Sequence, residues 1–379
     1  MRKSLISFVA FSLCAMAAPA WSQAPDAQLQ LAQAPRVQTP TAATVGEQDN
    51  AARVNSWTVG VAGGLLEGTF IRFAAELAKV LDDGDDLRVI PMVTYGAGEN
   101  ISDLLYLKGV DIAITDADVF EEYKKDHRFS NIDQRINYIS EMYISEFHVY
   151  ARPEIKSMRD LEGKKVGFNT KGSAANITGK IVFERLGIKV TPMFINNSIA
   201  LEQMRSGELA AIVHTVGKPN DLFKKEDPSS GFHFLPVEYN NVFADYYLPS
   251  TLTSEDYPNL LKPGQSVDTI GVPVVLAVYN WSRGSERFRR VERFIQYYFE
   301  RFDALKKPPF HPKWREINLA AKVPGWTRYW AADQMLARVS GNSAAPRSTS
   351  ATSNTSAPIV EANDPLYREF LEWKRKQRR

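Results

Sequence analysis

The stretch with the clearest chemical potential is 163–187, which begins Gly163-Lys164-Lys165-Val166-Gly167-Phe168-Asn169-Thr170-Lys171-Gly172-Ser173-Ala174-Ala175. Residues 164–168 read as a short strand and 169–172 as a polar turn. Ser173 then stands at an N-cap position before the helical run Ile177, Ile181, Val182 and Leu186. A strand, a tight turn and a helix start leave backbone N–H groups and a hydroxyl pointing out of the positive end of the helix, where a carboxylate or phosphate is favoured. The structural reading stands beside it, since strand-turn-helix units recur in α/β proteins with caps that only hold the turn.

The other residues that could carry chemistry form no recognisable set. His127, His148, His214, His233 and His311 lack metal-ligand spacing, and there is no His-Glu-x-x-His motif and no cysteine pair. Asp82-Asp83-Gly84-Asp85-Asp86 lacks the spacing of an EF-hand and reads as a solvated turn. Neither a P-loop nor a Gly-x-Gly-x-x-Gly fingerprint is present, so no cofactor is expected. Glu67, Asp116 and His148 could supply an acid and a base, but no nucleophile constellation accompanies them, and the chain is read as no enzyme. Lys+Arg 46 against Asp+Glu 44 gives a formal charge of +2, without the basic footprint of a nucleic-acid binder.

The elements that must position these residues alternate. Strand patterns at 57–62, 87–93, 110–115, 147–151, 164–168, 188–194 and 209–214 are separated by helical patterns at 68–81, 99–107, 119–125, 173–186 and 198–206. A β-rich run at 267–279 containing Pro273 and a helix at 285–302 follow. Such alternation predicts parallel sheets with helices on both faces, too much for one sheet, and therefore an α/β protein of two lobes with its ligand beyond the strand ends. Residues 1–22 combine Arg2 and Lys3 with the apolar run 5–18 and small residues near a cut, the pattern of a cleavable signal peptide that implies a periplasmic protein. The single cysteine, Cys14, lies inside it. Residues 23–56 are expected to be a disordered leader, 340–364 a low-complexity linker, and 365–379 a basic amphipathic helix that docks on its own body, stays solvated, or touches an anionic membrane surface or a partner.

In order along about 280 residues, the landmarks resemble the TAXI family of solute-binding receptors that feed TRAP transporters, a branch of the periplasmic-binding-protein type II fold. They are Glu67-Gly68-Thr69-Phe70, Gly96-Ala97-Gly98-Glu99-Asn100, Lys108-Gly109-Val110-Asp111, and the segment from Ile155 through Asp160-Leu161-Glu162-Gly163-Lys164 to Val166. Gly217-Lys218-Pro219, Tyr247-Leu248-Pro249 and Gly271-Val272-Pro273 complete the set. The resemblance implies lobe 1 from 57–148 and 274–339 and lobe 2 from 149–273, with hinge closure on a small carboxylate or amino-acid-like solute and delivery to TRAP permease subunits in the membrane. It also implies a ligand site built from Gly68, Thr69, Asn100, Asp116, Ser173, Ala174 and Ala175 and the backbone near Gly217.

The chain departs from that pattern where the site should lie. Leu65, Leu66 and Glu67 stand where the family has small hydroxyl residues, Asp116 stands for a usual Gln, and Ala174 and Ala175 follow Ser173 where Gly-Thr is usual. Acids beside a carboxylate ligand would repel it unless Lys218 or Arg72 compensates. Three readings follow: a zwitterionic or cationic solute, a calcium ion bridging the acids, or a site that has left transport for signalling on the same fold. A fourth has Glu67 and Asp116 facing solvent or capping the helices that follow them.

Overall fold

The computed structural model describes residues 42–339. The signal read over 1–22, the linker 340–364 and the tail helix 365–379 lie outside the described residues, as does the leader up to Thr41. The chain divides into two units between Asn50 and Ala51, and the second carries the sheet and the helices from Thr58 onward.

The end of the expected leader is not without structure: Ala42–Ser56 is a helix, α1. It is rich in Ala with Glu47, Gln48 and Arg53, good helix formers without an apolar stripe, so periodicity gave no sign of it. The chain continues through β1 (Thr58–Gly64), α2 (Thr69–Leu81), β2 (Arg88–Val93), α3 (Ala97–Tyr106), β3 (Ile112–Asp116), α4 (Ala117–Lys125) and α5 (Ile132–Arg135) into the long β4 (Ile136–Ala151). Next come β5 (Lys165–Gly167), α6 (Ala174–Leu186), β6 (Thr191–Met193), α7 (Asn197–Ser206), β7 (Ala211–Val216), α8 (Asp221–Lys224), β8 (His233–Phe234) and β9 (Leu248–Thr253). The long β10 (Ser266–Tyr279), α9 (Glu286–Leu305), a 3-10 turn at Pro312–Glu316 and α10 (Trp330–Val339) complete it. Among the described residues no helix is long and apolar enough to cross a membrane.

Two separate parallel sheets were expected, and the structure corrects this. One sheet runs in the order β2-β1-β3-β10-β4-β7-β5-β6, with β8 pairing β4 and β9 pairing β10. Its flanks are parallel, but β10 runs antiparallel to both β3 and β4, and β4 antiparallel to β7. Only 147–151 of β4 was legible, because Asn137, Ser140, Ser145 and Glu146 break the apolar pattern although all four are buried.

The packing nevertheless forms two lobes. One core takes in Phe70, Phe73 and Leu77 of α2, the interior of β3, β4 as far as Tyr143, β10 from Val274 and the stripe Val291, Phe294, Ile295, Tyr298 of α9. Two other cores cover the faces of the second lobe, and they alternate along β7: Ala211 and Val213 enter one, Ile212 the other. The cores change hands between Tyr143 and Phe147 on β4 and between Val272 and Val274 on β10. There Pro273 faces Ile144 and the register shifts, a place where a proline's missing N–H does least harm. Two α/β lobes joined by two crossing strands constitute the periplasmic-binding-protein type II fold.

Candidate functional site

The small cavity between the lobes is walled by the segments that follow β1, β2 and β5 and by the end of β7. From lobe 1 come Gly63, Leu65, Gly68, Thr69, Gly96 and Ala97; from lobe 2 come Asn169, Ser173, Ala174, Ala175, His214 and Thr215. The cavity they enclose measures about 30 Å³, space for roughly two waters.

Ser173 is the N-cap of α6, its Oγ accepting the Asn176 N–H at 3.2 Å, as the sequence pattern predicted. Ala174 and Ala175 line the cavity in the first turn of α6, where backbone N–H groups have no acceptor inside the helix. Lobe 1 lies directly on this end of α6. The Gly98 N–H donates to the Gly172 carbonyl at 2.9 Å, and a Cβ at Gly96 would stand 3.0 Å from the Ser173 Cα. Gly96 itself has φ +116, a conformation open to glycine.

Of the expected ligand residues, Gly68, Thr69, Ser173, Ala174 and Ala175 are brought together around this cavity. The Thr69 hydroxyl donates across the gap to the Gly217 carbonyl at 3.2 Å, and a Cβ on Gly217 would meet the Tyr143 ring at 2.8 Å, so Gly217 closes the wall by close packing. Asn100 is placed elsewhere. It is fully buried, and its Nδ2 donates to the carbonyls of Ile114 at 2.7 Å and Ala62 at 3.4 Å, which pins α3 to β1 and β3. Lys218 also turns away, its Nζ donating to the Thr251 carbonyl at 2.6 Å and pairing with Asp256 at 2.9 Å.

The two acids that set this chain apart take different positions. Asp116 ends β3 and is fully buried, with neither carboxylate oxygen hydrogen-bonded. Burial holds its carboxyl well above the usual range, and the charge of Asp118 adds to the effect. It occupies the N-cap position of α4 without capping it. Glu67 is half-buried and does not cap α2: Asn169 Nδ2 donates to its Oε1 at 2.9 Å and Asn196 Nδ2 to its Oε2 at 3.1 Å. Arg72, the other expected counter-charge, pairs with Glu76 at 3.0 Å. Outside these contacts a wider recess of about 480 Å³ opens between the lobes, bordered by Glu67, Arg72, Arg205, Asn220 and Lys225.

Sequence reasoning missed Asn169, Asn196, Asn220, His214 and Thr215. The asparagines carried a signal as turn and cap residues, but which way their amide NH₂ groups point was not legible. His214 is buried with both ring nitrogens unpartnered, and burial lowers its pKa to about 4 against the opposing charge of Glu67, so the ring is neutral at ordinary pH. Among the described residues no group of three or more His, Cys, Asp or Glu is placed to hold a metal ion.

The profile of the NMT1-like family matches residues 29–324. The chain belongs to the NMT1-like family. Among solved structures this member is similar to one described as a periplasmic transporter, at 12% identity over 75% of this chain and 94% of that one, TM-score 0.45. An ancestral arginine-binding protein bound to arginine matches at 19% identity over 69% and 97%, TM-score 0.40. The alkanesulfonate-binding protein of Xanthomonas axonopodis pv. citri bound to MOPS matches at 11% over 75% and 80%, TM-score 0.39.

Proposed function

We propose that this NMT1-like protein is a periplasmic solute-binding receptor that captures a small carboxylate or amino-acid-like solute between its lobes and passes it to a membrane permease of the TRAP type. The observation that carries this reading is the N-terminus of α6, with Ser173, Ala174 and Ala175, facing the Gly63–Thr69 loop of the other lobe across a gap that two strands span. Free N–H groups at a helix start suit an acid group, and strand crossings at Ile144 and Pro273 suit a hinge. About 30 Å³ is far less than a small organic solute occupies, so on this reading the lobes part to admit it. The ordered motifs shared with TAXI receptors and the export-signal pattern at 1–22 supply the transport and periplasmic parts of the reading.

The test is mass spectrometry of small molecules released from protein purified from a periplasm, followed by thermal shift on the stripped protein. A ligand at about 100 times its Kd adds ~2.7 kcal/mol, a rise of several degrees for a body of this size. Ser173→Asp is expected to abolish that shift, since the new charge meets the acid end of the solute; an unchanged shift removes Ser173 from the site. A second reading, an interaction protein on the same scaffold, is favoured by one observation: Glu67 already bridges the lobes. No shift with any acid, amino acid or amine supports it.

A further inference from the structure

Three asparagines of lobe 2 share one arrangement. Asn169 Oδ1 accepts the Thr170 N–H at 2.7 Å, Asn196 Oδ1 accepts the Ser198 N–H at 2.8 Å, and Asn220 Oδ1 accepts the Leu222 N–H at 3.0 Å. Each oxygen is fixed by a backbone donor of its own turn, which fixes the amide orientation as well and leaves each NH₂ turned outward. All three NH₂ groups converge on one residue of lobe 1. Asn169 and Asn196 donate to the two carboxylate oxygens of Glu67, at 2.9 and 3.1 Å, and Asn220 donates to its main-chain carbonyl at 3.1 Å. Asn169 is fully buried and has φ +54, a backbone conformation that asparagine tolerates better than most residues. Among the described residues no cation pairs with Glu67, and its carboxylate is met by the neutral amide donors of Asn169 and Asn196.

We infer that Asn169 and Asn196 form a carboxylate-binding site on lobe 2, that Glu67 fills it as an internal ligand holding the lobes together, and that small carboxylates compete for the same two NH₂ groups. The geometry is that of a receptor gripping an acid, except that the acid is tethered to the opposite wall. A tethered group acts at a high effective concentration, so the closed form is populated without solute, and a solute acid that uses these donors must first displace Glu67. The inference rests on the solute-binding reading only for what does the displacing. Closure itself is measurable with no solute present, so the two fail separately.

The test uses the full chain carrying Cys14→Ser and one spin label on each lobe, at Lys108→Cys and Glu184→Cys, both exposed positions. Interlobe distances are read by pulsed electron paramagnetic resonance. The parent is expected to be closed without additives, and Glu67→Ala to shift to longer, broader distances. Sodium acetate replaces the atoms that Glu67→Ala removes, and at roughly 10–100 mM, without the advantage of the tether, it is expected to restore the closed distance while acetamide does not. A Glu67→Ala protein as closed as its parent overturns the inference, and so does equal recovery with acetate and acetamide. Asn196→Asp provides a second line that keeps the cap acceptor for Ser198. It sets carboxylate against carboxylate and is expected to open the lobes, and adding Glu67→Gln, which supplies an NH₂ to that carboxylate, is expected to close them again. An Asn196→Asp protein that stays closed also overturns the inference.

Discussion

Thr178 on α6 donates its hydroxyl to Oδ2 of Asp118 on α4 at 2.7 Å, and the Tyr247 hydroxyl donates to the same oxygen at 2.9 Å. Asp118 lies within the lobe 1 sequence, and both donors belong to lobe 2, so one fully buried carboxylate joins the lobes away from the small cavity. Burial raises its pKa to about 6, against the pull of the two hydroxyls.

A carboxyl raised from 3.8 to about 6 binds a proton more readily in the native state, so its contribution grows as pH falls through 6 and is complete below about 4. We predict that, relative to Asp118→Asn, the parent gains about 1.4 kcal/mol of stability per pH unit between pH 6 and pH 4. Urea denaturation at several pH values measures this. Parallel profiles for the two proteins would show that Asp118 does not titrate there.

The buried pair on the hinge strand gives a second prediction. Lys313 and Glu146 are each 2% exposed and meet at 2.6 Å, while Glu316 takes a second Nζ proton at 2.9 Å. Glu146 sits at the junction of the lobes on β4 and also accepts the Lys218 N–H at 2.9 Å. Lys313→Met strands a buried carboxylate and is expected to cost about 3–5 kcal/mol in urea denaturation. Adding Glu146→Gln should recover a large part of that loss; a double variant no better than the single would mean that packing of the lysine stem is what matters.

How far the sequence reached depended on whether a feature was local. Ser173 as a cap, Ile181 and Val182 on the inner face of α6 and the strand before them follow from propensity and spacing within a single unit, and the structure has them so. The cleft wall at Gly68, Thr69, Ala174 and Ala175 followed from the ordered motifs. Asn100 shows the limit, because the same helix-start position serves equally for a ligand or for bonding two strand carbonyls, and only the packing of α3 decides. The asparagine donors were beyond reach for a related reason. Each looks like an ordinary cap, and its second function depends on Glu67, as many as 153 residues away. The long β4 was hidden by buried polar residues at the hinge, the feature that makes it a shared strand.

His148 supplies a prediction of opposite sign to Asp118. Its Nδ1 donates to the Glu146 carbonyl at 2.8 Å, so Nε2 is the bare nitrogen and accepts the Tyr257 hydroxyl at 2.8 Å. Burial lowers its pKa from 6.5 to about 3. The unfolded chain therefore takes up this proton first, and the stability contribution is lost as pH falls from 6.5 toward 3. His148→Phe is expected to be less stable at pH 7 through loss of the Tyr257 bond, with the gap to the parent narrowing by about 1.4 kcal/mol per pH unit below 6. A gap that is constant with pH would show that the ring does not change its charge on unfolding.

Closure itself can be blocked at Gly98 without touching a proposed ligand contact. Gly98 lies in the first turn of α3, and an added Cβ would stand 2.6 Å from the Ile177 Cδ1 and 3.1 Å from the Gly172 carbonyl oxygen, both on lobe 2. Within lobe 1 it would also stand 2.3 Å from the Tyr123 hydroxyl. In an isolated helix the exchange favours folding by about 1 kcal/mol, so α3 has no reason to unravel. Gly98→Ala is therefore expected to hold the lobes apart while circular dichroism stays unchanged. The interlobe spin-label distance should lengthen even with Glu67 intact, because a steric wedge outweighs two hydrogen bonds. Pairing it with Tyr123→Phe removes the clash inside lobe 1 and leaves the contact with lobe 2. If that double variant closes normally, the opening came from distortion within lobe 1; if it stays open, Gly98 is a glycine because the other lobe must reach it.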